Sequence, residues 1–97
     1  MNEKSICRLH ARVTGRVQGV GFRYFVMGEA DTIGLTGWVR NRRDGSVEVV
    51  AEGEKEQLSS LVLSLKRGPR SSVVNDVKVE WLESTGEFSG FIPQSTI

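Results

Sequence analysis

Apolar and polar positions alternate along residues 6–14. Cys7, Leu9, Ala11 and Val13 fall on one side, and Arg8, His10, Arg12 and Thr14 on the other. A period of two predicts a half-buried strand. From Phe22 the spacing changes: Phe22, Val26, Ala30 and Ile33 recur at three- and four-residue steps, the apolar stripe of a helix. Gly34 follows at the position where a left-handed residue ends a helix. Leu35 to Asn41 returns to strand character, with Trp38 and Val39 as bulky β-formers. Arg42-Arg43-Asp44-Gly45 supplies a hairpin turn. Val47, Val49 and Ala51 then alternate with Glu48, Val50 and Glu52 in a third strand, antiparallel to the second and ended by Gly53. Glu54 to Gln57 opens a second helix, with acids where the helix dipole favours them. Leu58, Leu61, Val62 and Leu65 form its stripe, and Gly68-Pro69 stops it. Val77, Val79 and Trp81 alternate with Lys78, Glu80 and Leu82 in a last strand. The tail from Glu83 to Ile97 is rich in Ser, Thr and Gly, and its pattern leaves open whether it adds an edge strand.

The order is β-α-β-β-α-β. Two striped helices must cover one face of the sheet that the strands form. With right-handed crossovers the prediction is an α+β, ferredoxin-like sandwich. Its antiparallel sheet has four strands, or five if the tail joins it. A length of 97 residues fits one domain spanning residues 1–97. Hydrophobic residues at 38% and charged residues at 26% exclude a disordered chain. Aliphatic runs such as Leu61-Val62-Leu63 are far too short to span a bilayer. Residues Met1 to Arg8 carry no apolar leader. With a lone cysteine, Cys7, no intramolecular disulfide can form, and the expected compartment is the cytoplasm.

Charge narrows the chemistry. Thirteen basic and twelve acidic residues leave a net +1, so any anion site must be local. One cysteine and one histidine exclude a cysteine zinc site and a multi-histidine centre. The most informative stretch is Gly15 to Arg23, where a strand gives way to three glycines in seven residues and then a helix. Glycines let backbone N–H groups converge without side chains between them. A helix N-terminus adds unpaired amides and the positive end of a dipole, and Arg23 in the first turn adds a guanidinium fork. Together these suit a phosphate-sized anion. A purely structural glycine loop explains the spacing equally well. The loop is neither a Walker A motif, since Gly21-Phe22-Arg23 stands where Gly-Lys-Ser/Thr is needed, nor a dinucleotide fingerprint, since Tyr24 stands in place of its third glycine.

Asn41, at the end of the second strand, offers one acceptor and two donors and stays neutral. Such groups hold a water but do not take its proton, although asparagine beside a turn is commonly structural. His10 falls on the polar side of its strand and is expected to be satisfied or solvated. Cys7 is expected to be a buried, inert thiol, and Trp38 and Trp81 to pack in the core or on a sheet face. Arg40, Arg42, Arg43, Lys66, Arg67 and Arg70 are expected to lie dispersed on a solvated surface. Asp44 and Glu48 are not expected to form a general acid/base pair.

Gly15-Arg16-Val17-Gln18-Gly19-Val20-Gly21-Phe22-Arg23 resembles the signature loop of the acylphosphatases. Gly34-Leu35-Thr36-Gly37-Trp38-Val39-Arg40-Asn41 resembles that family's second signature, and Asp44 to Val49 and Gly68-Pro69 follow in the expected order. The resemblance runs from the first strand to about Trp81. It implies hydrolysis of the carboxyl–phosphate bond of acyl phosphates with no metal and no cofactor, and an α/β sandwich. It also implies that Arg23 binds the phosphate with amides of Arg16, Val17, Gln18, Gly19, Val20, Gly21 and Phe22, while Asn41 orients the attacking water. No residue in the sequence defines a pocket for the acyl part, so broad specificity is expected, from a monomer acting on a small molecule.

Two other readings compete. An RNA-binding module shares the element order, but the third strand, Ser46 to Glu52, holds no aromatic for base stacking and two acids, so no nucleic-acid partner is expected. A non-catalytic phosphate-sensing or interaction domain would keep the cradle. Related domains occur at the N-terminus of carbamoyltransferases that mature hydrogenases. Asn41 argues against a pure binder, because affinity for phosphate alone does not require it.

Overall fold

The computed structural model describes residues 5–97. The element order is β1 (Ile6–Arg16), α1 (Phe22–Ile33), β2 (Thr36–Asn41), β3 (Val47–Glu54), α2 (Lys55–Arg67), β4 (Val73–Glu83) and β5 (Phe91–Pro93). The strands form one sheet in the order β4-β1-β3-β2-β5. Both helices lie on one face, as the two stripes require. Phe22, Val26 and Ala30 of α1 and Leu58, Leu61 and Leu65 of α2 bury against Leu9, Ala11, Val13, Val39, Val47, Val49 and Ala51. Neither helix is long and apolar enough to cross a membrane.

The caps follow the sequence. Gly34 has φ 96° and returns its amide to the Ala30 carbonyl at 2.8 Å. Glu54 and Gln57 form a reciprocal capping box at the start of α2, satisfying two otherwise orphan amides.

Four features depart from the expected pattern. The tail does form a fifth strand, and β5 runs parallel to β2, pairing Gly37 with Phe91 and Val39 with Pro93. The sheet is therefore mixed, not antiparallel. The tail leaves β4 at one edge and reaches β5 at the other. On the way, Thr85 and Gly86 donate backbone amides to the Glu52 carboxylate on the helix-free face. Second, β1 continues through Gly15 and Arg16, where a loop is predicted, and β4 starts at Val73 instead of Val77. A bulge between Thr14 and Gly15 keeps the two strands paired, and a Cβ on Gly15 would come within 2.1 Å of the Val73 carbonyl oxygen. Gly15 is glycine because two backbones touch there.

Third, β3 is buried on both faces. Glu48 and Glu52 are covered on the helix-free side by arginines that pair with them: Arg8 with Glu52, and Arg40 and Arg42 with Glu48. Fourth, Cys7 is only half-buried and lines an open hollow with Glu54, Lys55 and Glu56 at the start of α2. The tryptophans pack on the sheet. Trp38 lies beside Val50 in register, under the Arg40 guanidinium. Trp81, on the edge strand, remains 42% exposed beneath Lys55.

Candidate active site

The loop from Val17 to Gly21 joins β1 to α1. Gly19 and Gly21 have φ of 73° and 79°, left-handed values that disfavour a side chain. A Cβ built on either glycine would meet no atom within 4 Å. The space over the loop is therefore open, and the backbone itself faces it. Gly21 is the N-cap of α1, with no side-chain cap and no acid in the first turn. The first helical hydrogen bond runs from Phe25 N to the Gly21 carbonyl at 3.0 Å. The amides of Phe22, Arg23 and Tyr24 therefore have no intrahelical acceptor and stay available to an anion.

Val17, Gly19, Gly21, Phe22, Arg23, Tyr24 and Asn41 line one cavity of about 120 Å³. This brings the phosphate-loop candidates and Asn41 together although 18 positions separate Arg23 from Asn41. Val17 and Phe22 send their side chains into the core and anchor the loop from beneath. Three of the expected loop residues do not line the cavity. Arg16 is exposed and pairs with Val73 in the sheet. Val20 is half-buried and packs on the core. Gln18 turns its side-chain amide to the β2–β3 turn, donating to the carbonyls of Arg42 at 2.7 Å and Ser46 at 2.8 Å.

That turn fixes Asn41. Asp44 accepts from the Ser46 amide at 2.9 Å and the Ser46 hydroxyl at 2.6 Å, an Asx turn. Gly45 returns its amide to the Arg42 carbonyl at 3.0 Å. The Asn41 carbonyl accepts from the Ile97 amide at 3.3 Å, and the Arg43 amide donates to the Ile97 carbonyl at 2.9 Å. Backbone bonds thus hold Asn41 from both sides.

The family model for acylphosphatase matches residues 9–93. The chain belongs to the acylphosphatase family. It is 56% identical over 87 residues to an acylphosphatase of Pseudomonas paraeruginosa, covering 90% of this chain and 93% of that one. Its fold is similar to the crystal structure of acylphosphatase from Bacillus subtilis, with a TM-score of 0.88, 45% identity, and coverage of 91% of this chain and 98% of that one. It is equally similar, at a TM-score of 0.88 and 30% identity, to part of full-length HypF in its phosphate- and nucleotide-bound form. That match covers 98% of this chain but 13% of the longer one.

In this acylphosphatase fold, no carboxylate or histidine among the described residues lines the cavity. His10, the one histidine, sits on the helix-free face with its Nε2 2.6 Å from Glu48 Oε2. Glu48 also accepts from Arg40 Nε at 2.7 Å and Arg42 Nη1 at 2.9 Å. Burial pushes the Glu48 carboxyl up, but bonds from His10, Arg40 and Arg42 outweigh it and hold the group at about 2. Asp44 is bound to Ser46 and its carboxyl lies below the usual range for that reason. The two acids have separate structural partners and form no acid/base pair. Among the described residues, no three His, Cys, Asp or Glu side chains are grouped to hold a metal ion.

Sequence reasoning missed two contributors. Tyr24 lines the cavity and is 79% exposed. Its only sequence signal is its place directly after Arg23. The Gln18 brace leaves no local signal, because its partners lie 24 and 28 residues away.

Proposed function

We propose a mechanism by which this member of the acylphosphatase family hydrolyses acyl phosphates to a carboxylate and inorganic phosphate. In the same proposal, Arg23 and the amides of the Gly19–Arg23 backbone bind the phosphoryl group and Asn41 orients the attacking water. The shared cavity of Gly19, Gly21, Arg23 and Asn41 is the observation that carries this reading.

The chemistry suits so sparse a site. The departing carboxylate, with a pKa of about 4, leaves without being protonated. Phosphoryl transfer passes through a loose transition state with charge spread over three equatorial oxygens, so the protein's work is positioning and charge stabilisation. Preorganised amides and a guanidinium fork supply both without reorganising during the step. Asn41 donates and accepts but cannot ionise, so it holds the water in line while a phosphate oxygen of the substrate takes its proton. The absence of a carboxylate or histidine from the cavity lining supports that route. The same reading takes residues 1–97 as one domain, a cytoplasmic monomer that needs no metal. A lone free thiol supports the reducing compartment. Asn41 in the lining weighs against a purely sensing domain.

The test is hydrolysis of benzoyl phosphate in oxygen-18 water with a chelator present. Attack at the cradled phosphorus puts the label in inorganic phosphate. Label in benzoate would mean attack at the carbonyl carbon and would overturn the assignment.

A further inference from the structure

A second hollow lies beside the phosphate cavity. Arg23, Tyr24, Met27 and Pro93 line this groove of about 150 Å³, and Arg23 and Tyr24 belong to both spaces. Three of the four lining residues come from α1. Arg23 and Met27 are four apart and lie one above the other on the helix, with Tyr24 beside them. The fourth comes from β5, the strand formed by the tail, which packs against α1. The wall is therefore assembled from segments 66 positions apart in the chain.

Its chemistry differs from that of the cradle. A phenol ring, a thioether and a pyrrolidine ring make up the wall, and Arg23 supplies the one charge. In an acyl phosphate the acyl group is bonded directly to the phosphoryl group, so a phosphoryl held by Arg23 must send its acyl part into an adjoining space. The loop side is filled by Val17 and Phe22, which are buried in the core, and Asn41 occupies the β2 side.

Resting on the acyl-phosphate reading above, we infer that the Tyr24–Met27–Pro93 groove is the acyl subsite and selects substrates with an uncharged, apolar acyl group. An aryl or short branched aliphatic group fits best. An apolar space of about 150 Å³ is known to accommodate a benzene ring, and an aromatic face such as Tyr24 favours stacking with a flat one. The methionine adapts to differently shaped apolar groups. An acyl group bearing a second negative charge finds no further cation in this wall. The expectation of indifference to the acyl part is thus replaced by a defined preference.

The test compares kcat/KM for benzoyl phosphate and acetyl phosphate in wild type, Tyr24→Ser and Met27→Gln. The acetyl methyl is too small to contact the far wall, so the benzoyl-to-acetyl ratio isolates the groove. The ratio is expected to fall about tenfold in each variant, mainly through KM, in line with the loss of a few apolar groups from a binding pocket. The inhibition constant of phenylphosphonate should rise by a similar factor, while that of methylphosphonate moves much less. Tyr24 is exposed, so its variant reports even if Met27→Gln folds poorly. A ratio unchanged in both variants, with both substrates still hydrolysed, would overturn the subsite and leave the phosphate assignment standing. If wild type hydrolysed neither substrate, the parent reading would fall and the subsite with it.

Discussion

The Gln18 side-chain amide donates to the Arg42 carbonyl at 2.7 Å, which ties the phosphate loop to the residue directly after Asn41. A second bond, to the Ser46 carbonyl, closes the brace across the β2–β3 turn. The two halves of the site come from the β1–α1 loop and the β2–β3 hairpin, and this amide ties them together. Both carbonyls also accept a backbone amide, from Gly45 and Arg42 respectively, so neither is orphaned when Gln18 is lost. Gln18→Leu is expected to cost about 1–2 kcal/mol of stability. Turnover should fall by roughly tenfold or more, since small misplacements of a positioning group cost large factors. Denaturant melts beside steady-state kinetics check this. A stability loss with turnover intact would reduce the brace to a structural bond.

Among the described residues, Arg23 supplies the only guanidinium in the cavity lining. Arg23→Ala is expected to lower turnover by about 10²–10³, the scale for one lost transition-state donor, and to weaken phosphate binding. Arg23→Lys should recover little, because a point charge does not replace a planar fork. Phosphate inhibition constants for the three proteins provide the check. Near-complete rescue by lysine would show that charge alone is required.

Gly19 and Gly86 have the same φ of 73°, and a Cβ on either meets nothing within 4 Å. Alanine at each position therefore pays a similar conformational penalty, about 1–2 kcal/mol. Of the two, only Gly19 lines the cavity. Gly19→Ala is expected to lose phosphate affinity and turnover, while Gly86→Ala loses stability alone. Melting curves and phosphate titration of both variants separate backbone strain from occlusion.

Glu48 links stability to pH. Its carboxyl is held at about 2 in the folded chain against an ordinary 4.5. A depressed pKa stabilises the fold above the unfolded value, and that stabilisation disappears as pH falls through the folded one. Wild type should therefore lose stability progressively between pH 4.5 and 2, and the loss should be smaller in Glu48→Gln. At neutral pH the variant should be less stable by about 1.5–3 kcal/mol, the scale for hydrogen bonds to a charged group. Parallel acid titrations followed by circular dichroism would show this. Superimposable slopes would remove Glu48 from the account.

The fold was legible wherever the period was strong. The alternation from Cys7 to Thr14 and the stripes from Phe22 and Leu58 each matched a single element type, and Gly34 and Gly68 ended both helices. β5 was not legible, because Phe91, Ile92 and Pro93 are too few to show a period. They become a strand only because β2 offers them an open edge. The two-sided burial of β3 was hidden for a related reason. Glu48 and Glu52 read as solvent-facing, and only the fold brings Arg40, Arg42 and Arg8 over them. In the site, the glycine loop, Arg23 and Asn41 could be read because their chemistry sits in short local motifs. The Gln18 brace and the placing of Pro93 beside α1 join residues distant in the chain.

The division of labour between Arg23 and Asn41 is the central claim, and Asn41→Ala tests it most directly. Benzoyl phosphate turnover and the inhibition constant of inorganic phosphate would be measured on the same preparation. A group that places water for the transition state contributes to kcat and little to ground-state binding. Turnover is expected to fall by at least about 10², with phosphate inhibition within a factor of about two of wild type. Full activity in Asn41→Ala, or an equal loss in turnover and phosphate affinity, would contradict the water-orienting role.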